Sequence, residues 1–368
     1  MGILFKEELR KMASRKIVWV GLLLLFVFLI FRIAVVQKEY RTTIDGQTYT
    51  GREAIQKDKE LAREYSGPLT EKMVEDIYKR FGFSYYEEES GDFVGNFCNG
   101  FITRRMTNYN QTGGSQVEIM FYQGEEWENN AAHLLKGDVE FGYAYGWEDL
   151  WESWLVIVMY LSVLFVIAYS PMFSEEYALR TADLLLTTER GRGSGIGMKL
   201  LAALAFYIFV SVGMIGLVVL LYLSVFGPDG LEASSLLMNI PSEGYHPETI
   251  LGFYLYEIGM SLSGMLLLMT VTAGISAYSR NSYMSVIMSV IVFLIPVLWI
   301  KVFAPMQIFG SFTKVVNHFM ASMPVMLPLS WGFVFTGKQT AVHLGVAGIT
   351  AAVCSVAAYR KYKKYQGR

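Results

Sequence analysis

Uninterrupted apolar runs of about 20 residues constrain this chain more than any other feature. A helix rises ~1.5 Å per residue, so roughly 20 apolar residues cross the hydrocarbon core of a bilayer. In that solvent every backbone amide must find its partner within the segment, which leaves the helix as the open-ended solution. Six such runs are read, at 17–36, 153–173, 200–226, 251–277, 283–304 and 340–359. The first is too long for a signal-peptide core and lacks a small-residue cleavage site, so it reads as a true span. With 53% hydrophobic residues over 368 positions, the chain is far more apolar than a soluble domain. The expected fold class is an all-α polytopic membrane protein: six transmembrane helices with an amphipathic N-terminal interfacial helix, plus a mixed α/β extracellular domain.

Lys and Arg in the short flanks set the orientation. Lys6, Arg10, Lys11, Arg15, Lys16, Arg180, Arg190, Arg192, Lys199, Arg280, Arg360, Lys361, Lys363, Lys364 and Arg368 fall on one side. The segments 227–250 and 305–339, on the other side, contribute only Lys314 and Lys338. Both termini are therefore expected in the cytoplasm. The net charge of −2 hides an asymmetry, because residues 37–152 hold 22 of the 33 acidic side chains and 12 of the 31 basic ones. An acidic exterior with basic inner flanks suits a protein of the plasma-membrane bilayer, and no nucleic-acid footprint is visible. Cys98 in the outer domain and Cys354 near the inner end of the last span lie too far apart for a disulfide.

Residues 1–16 form the expected cytoplasmic interfacial helix, with Phe5, Leu9 and Met12 on one face among charges. The 37–152 insertion is expected outside. Helices are predicted at 52–65 and 69–81, the second from Met73, Ile77 and Phe81 after the start signals Pro68 and Thr70. A strand is predicted at 117–122, a helix at 126–136, and turns at Gly91-Asp92 and Gly113-Gly114. Trp147, Trp151 and Trp154 are expected at the outer lipid interface as an aromatic belt. Pro305, Pro324 and Pro328 break 305–339 into short re-entrant or surface-lying outer helices, and 360–368 is a basic cytoplasmic tail. Small residues at Gly213/Gly216, Gly259/Ser263 and Gly345/Gly348 permit close helix packing.

Charges inside apolar spans are functional candidates by default. Arg32, Glu257 and Lys301 fall in the outer third of the expected bilayer. They form either a polar cluster at the outer mouth of a pathway, or local pairs in which Arg32 and Lys301 snorkel to the headgroups.

The cytoplasmic segment 174–199 carries the densest signal. Glu175, Glu176, Arg180, Asp183, Glu189, Arg190 and Arg192 surround the apolar triplet Leu184–Leu186, and Lys199 opens the next span. The glycines from Gly191 superficially match a phosphate loop. However, Met198 precedes Lys199 and Leu200 follows it, so the Mg²⁺-binding hydroxyl is missing. Glu175, Glu176 and Arg180 fit the EExxxR pattern of CAAX-type intramembrane endopeptidases. None of His133, His246, His318 and His343 completes that site, since none has Phe four residues before it. What remains is a short amphipathic element suited to pressing into a soluble partner.

Here the parts resemble the type-2 ATP-binding-cassette export permeases, of the bacterial kind with an outer domain between spans one and two. The resemblance covers the whole membrane portion. Its most recognisable stretch is Phe173, Glu175 or Glu176, Leu184–Thr188, Arg190 or Arg192, and Lys199; the family often has a small residue or a Gly-Thr pair where this chain has Arg180-Thr181. The resemblance implies a transport subunit of the bacterial plasma membrane without its own ATPase site or bound cofactor, ATP and Mg being held by a cytosolic ATPase. It implies a second permease copy, or a homologous permease, as the other half of the pathway. Glu175, Glu176, Arg180, Asp183, Leu184, Leu185, Arg190 and Arg192 become the ATPase-docking set, with Leu184 and Leu185 filling a groove and the charges at its rim. The substrate stays open among peptides or bacteriocins, lipid-linked molecules and drugs. A membrane-anchored sensor or scaffold is the alternative reading, ahead of an intramembrane protease.

Overall fold

The computed structural model describes residues 2–87, 91–111, 118–136, 139–188, 191–239, 248–306, 310–323 and 337–365. The chain opens with α1 (Gly2–Ala13) and turns at Ser14-Arg15 into α2 (Lys16–Glu39). Between its ends α2 carries one charge, Arg32. Val18, Leu22, Leu25, Leu29 and Ile33 bury a stripe at helical spacing, while Leu23, Leu24, Val27 and Phe31 face outward. A helix apolar all round suits lipid on its outer side. Leu9 and Met12 of α1 face the protein core, as their spacing predicts.

The insertion begins at Tyr40. Asp45 and Gly46 both take positive φ, 51° and 78°, closing a two-residue turn between β1 (Arg41–Ile44) and β2 (Gln47–Thr50). Those values suit the Asp-Gly turn whose twist matches paired strands. Then follow α3 (Gly51–Glu64), β3 (Gly67–Pro68), α4 (Glu71–Phe81), β4 (Tyr85–Tyr86), β5 (Phe93–Val94), α5 (Phe97–Met106), α6 (Glu125–Asn130) and β6 (Glu140–Phe141). β3 pairs antiparallel with β6, and β4 with β5. Helices α3 and α4 match expectation, and the Thr70 side chain accepts from the Met73 amide at 3.3 Å as an N-cap. The strand expected at 117–122 does not form over its described part, where Phe121 makes a single bridge to Thr107. The helix expected at 126–136 stops at Asn130 and restarts as a 3₁₀ turn at Ala132–Leu135. Gly91 sits in a turn at φ 70°, and Gly113-Gly114 lie outside the described residues. Leu69, Ile77, Cys98, Phe101, Met106 and Phe141 make the domain core. Burial there pushes the Cys98 thiol pKa well up, and neither Cys98 nor Cys354 is in a disulfide.

The bundle resumes with α7 (Tyr145–Tyr169), α8 (Pro171–Ala178), α9 (Thr181–Thr187), α10 (Ile196–Phe226), α11 (Ile250–Tyr278), α12 (Ser282–Leu298), α13 (Thr313–Ala321) and α14 (Gly337–Lys363). Among the described residues, five runs are long and apolar enough to cross a membrane: Lys16–Glu39, Tyr145–Ala178, Gly193–Phe226, Ile250–Tyr278 and Gln339–Lys363. The run expected at 283–304 is a shorter apolar helix. Pro296 removes a backbone donor inside α12, and the chain loosens into a π-turn at Trp299–Phe303. The segment expected as a loop at 174–199 is largely helical, since α8 prolongs α7 and a π-turn at Gly191–Gly195 leads into α10. Within 305–339 the described part holds α13, whose Asn317 accepts from the Trp299 indole at 2.7 Å; residues 324–336 lie outside the described residues.

Close helix approach falls at other glycines than the sequence suggests. A Cβ on Gly21 would overlap Leu164, and one on Gly146 would overlap Phe226, so these glycines let α2 meet α7 and α7 meet α10. A Cβ on Gly213, Gly216, Gly259, Gly345 or Gly348 would meet nothing within 4 Å. The three tryptophans also differ from expectation. Trp147, Trp151 and Trp154 are buried between helices rather than ringing a lipid interface. Their indoles have partners inside: Trp147 donates to the Asp229 carbonyl at 2.8 Å, Trp154 donates to Ser261 Oγ at 3.0 Å, and Trp151 packs edge-on against Phe253.

Candidate functional site

Between Tyr169 and Thr188 the chain builds a bent helical platform. Pro171 has no amide to donate, so the helix loses a backbone bond where α7 runs on into α8. The buried Ser276 hydroxyl of α11 fills the gap. It accepts from the Phe173 and Ser174 amides at 3.0 and 3.1 Å and donates to the Ser170 carbonyl at 2.6 Å. One turn later Glu176, only 7% exposed, enters a polar knot. It is ion-paired to Lys199 at the start of α10 and to Lys11 of α1 at 3.3 Å, and it accepts from the Tyr362 hydroxyl of α14. Lys199 also reaches the Met172 carbonyl at 3.3 Å and Glu8 at 3.8 Å, and lies over the rings of Phe173 and Tyr362. Five helices, α1, α7–α8, α10, α11 and α14, are tied at this point.

Arg180 then adopts φ 55°, ψ 18°, the left-handed region, and turns the chain into α9. Ala182 and Leu186 point inward and are buried, whereas Leu184 is 72% exposed and Leu185 38%. Leu179, 66% exposed, adds a third apolar side chain just before the bend; the sequence reading missed it because it stands outside the leucine triplet. Among the other docking candidates, Arg180 is exposed and Asp183 half-buried in the first turn of α9. Glu175 stays at the surface but is held by Arg15 at 2.9 Å, and Glu176 lies inside the fold rather than at a rim. Arg190, with Glu189, lies outside the described residues; the Arg192 backbone sits in the π-turn, and its side chain lies outside them too. His343, hydrogen-bonded to Ser322 at 2.7 Å, is 19 residues before Tyr362 on α14, about 28 Å away along the axis. That separation keeps it from Glu175 and Glu176.

A second node lies at the far end of the bundle. Arg32 donates to Ser153 Oγ at 2.6 Å and pairs with Asp149 at 2.9 Å and Glu152 at 3.3 Å, all on α7. The Tyr222 hydroxyl of α10 donates to the buried Asp149 at 2.7 Å. Positions 149, 152 and 153 share a helical face at i, i+3, i+4, which brings all three to Arg32. Arg32 is thus paired locally with α7. Glu257 is buried in α11, and the Lys301 side chain lies outside the described residues.

Next to this node, the insertion encloses a cavity of about 870 Å³ lined by Tyr85, Tyr86, Phe93, Tyr109, Tyr145 and further residues. At its floor Asp58 accepts from Tyr40 and from Thr42 Oγ1, the latter at 2.6 Å. Burial outweighs both hydrogen bonds and raises its pKa to about 7.

Comparison with protein-family models, with curated proteins and with solved structures finds no match to this chain.

Proposed function

We propose that the chain is the permease subunit of an ATP-binding-cassette exporter, with six spans, both termini in the cytoplasm and the insertion outside. A separate cytosolic ATPase docks on α9, and a second permease copy completes the pathway. The observation that carries this reading is the exposure of Leu179, Leu184 and Leu185 on a helical platform whose Glu176 is bound to Lys11, Lys199 and Tyr362. Exposed leucines on a rigid element mark a protein-docking site. Anchoring through the Glu176–Lys199 knot lets a push on α9 tilt the spans as bodies, which is the currency of a two-state membrane switch. ATP and Mg belong to the partner in this reading, and the segment from Gly191 lacks the hydroxyl that a phosphate loop needs. Leu184→Asp with Leu185→Asp should abolish co-purification of the ATPase while the permease stays folded and in the membrane. Undiminished co-purification would end this assignment.

The cavity in the insertion favours a sensor as second reading. A sensor needs no force through α9, so scrambling residues 181–187 would leave its ligand response intact but would abolish transport by a permease.

A further inference from the structure

The cavity in the insertion has a composition that restricts its occupant. Nine of its 24 described lining residues are aromatic, and four are acidic against three basic. Its volume falls within the range of small-molecule and peptide pockets, roughly 300–1,000 Å³. Two of the cations are already neutralised: Arg41 is paired with Asp92, and Arg104 with Glu148 at 3.1 Å. An anionic ligand would therefore have to displace carboxylates inside a domain that already carries 22 acidic and 12 basic residues over 37–152. A purely apolar ligand would strand these charges against hydrocarbon.

A cation bearing rings has to exchange with Arg41 and Arg104, but it keeps every charge paired and gains from the surplus carboxylate of the described lining. Tyr and Phe faces attract ammonium and guanidinium groups and stack on other rings. The acidic field of the domain draws cations in. Asp92 and Glu148 can exchange their present guanidinium partners for those of a ligand. Tyr85 and Tyr86, both more than half-exposed or nearly so, stand on β4 as a ready platform. Tyr145 and Glu148 carry the lining onto α7, one residue before the Asp149 of the Arg32 node. We propose that this cavity binds cationic peptide segments carrying aromatic side chains. The inference does not depend on an ATPase docking at α9.

The test is isothermal titration of the full chain in neutral detergent with the acetylated amide tetrapeptide Arg-Trp-Arg-Trp. Glu-Trp-Glu-Trp and Arg-Ser-Arg-Ser serve as controls. One saturable site per chain is expected, with each control at least tenfold weaker. Tyr85→Ala with Tyr86→Ala, on the open rim, should weaken the first peptide at least tenfold with the melting temperature unchanged. Tyr109→Ala supplies a second variant should the pair disturb β4. Absence of saturable binding, equal binding of either control, or full affinity in the folded rim variants would overturn the proposal.

Discussion

The two ends of the helical bundle both bury charge, but they do so differently. At the α9 end, Glu8 and Glu176 face Lys11 and Lys199, so the charges balance, and the participants come from three separate helices, α1, α8 and α10. At the insertion end, one Arg32 serves two carboxylates, Asp149 and Glu152, and the balance is negative. The first arrangement is a joint, since any displacement of α8 must break several hydrogen bonds together. The second is an open-sided anchor. Arg32 keeps about a third of its side-chain surface exposed, and Glu152 is largely in contact with the surroundings. Stiffness thus lies beside the exposed leucines, and pliancy beside the cavity.

The joint should fail hardest. Lys199→Met leaves the buried Glu176 with Lys11 and Tyr362 alone, and removing one partner of a buried pair costs about 3–5 kcal/mol. Thermal unfolding in detergent should show that loss, with co-purification of any α9 partner lost as well. Adding Glu176→Met should recover much of the stability, because an apolar replacement of the whole pair removes the uncompensated charge. A double variant no better than the single one would argue against the knot. Arg32→Met should cost less, about 1–2 kcal/mol, since Tyr222, itself in contact with Ser153 Oγ, still donates to Asp149 and the node is partly exposed. Equal losses at both ends would erase the contrast.

Asp58 sharpens the description of the insertion. Its folded pKa of about 7 stands above the ordinary carboxylate value of about 3.9. The folded domain therefore holds a proton that the unfolded chain releases, and stability falls as pH rises from about 4 to about 7, then levels off. The slope integrates to at most a few kcal/mol, on the order of 1.4 per pH unit over the window. Asp58→Asn should flatten unfolding midpoints measured between pH 4.5 and 7.5. A slope unchanged in that variant would assign the proton elsewhere.

What could be read from residue order and what could not divides along the range of the interaction. Helices α1, α4 and the long apolar runs follow from periodicity, and the Thr70 cap from a single local hydrogen bond, so neighbouring residues announce them. The partners of Glu176 come from Lys11, Lys199 and Tyr362, and those of Arg32 from over a hundred residues further on. No local pattern encodes that choice. The tryptophans were misplaced for a related reason. Lipid and protein interior are about equally apolar, so hydropathy alone does not say which of the two a side chain faces. The π-turn after Pro296 shortens a run that apolarity extends to 304. Leu184 and Leu185 were legible as an apolar centre among charges, yet their exposure required the inward turn of Ala182 and Leu186.

The smallest expected effect concerns the bend that aims those leucines. Arg180 takes the left-handed conformation between α8 and α9. For a residue with a Cβ that conformation costs about 1–2 kcal/mol, and glycine adopts it freely at the expense of a looser unfolded chain. Arg180→Gly should therefore raise stability by about 0.5–1 kcal/mol, the difference between the two terms. It should leave α9 pointing as it does, because the Glu176 knot and the buried Leu186 fix the segment on both sides of the bend. Unfolding midpoints and partner co-purification, measured together, separate the possibilities. A more stable chain with intact docking means the bend is set by its anchors. A more stable chain that loses docking means the guanidinium itself touches the partner, and Arg180 then joins Leu184 and Leu185 as a contact residue.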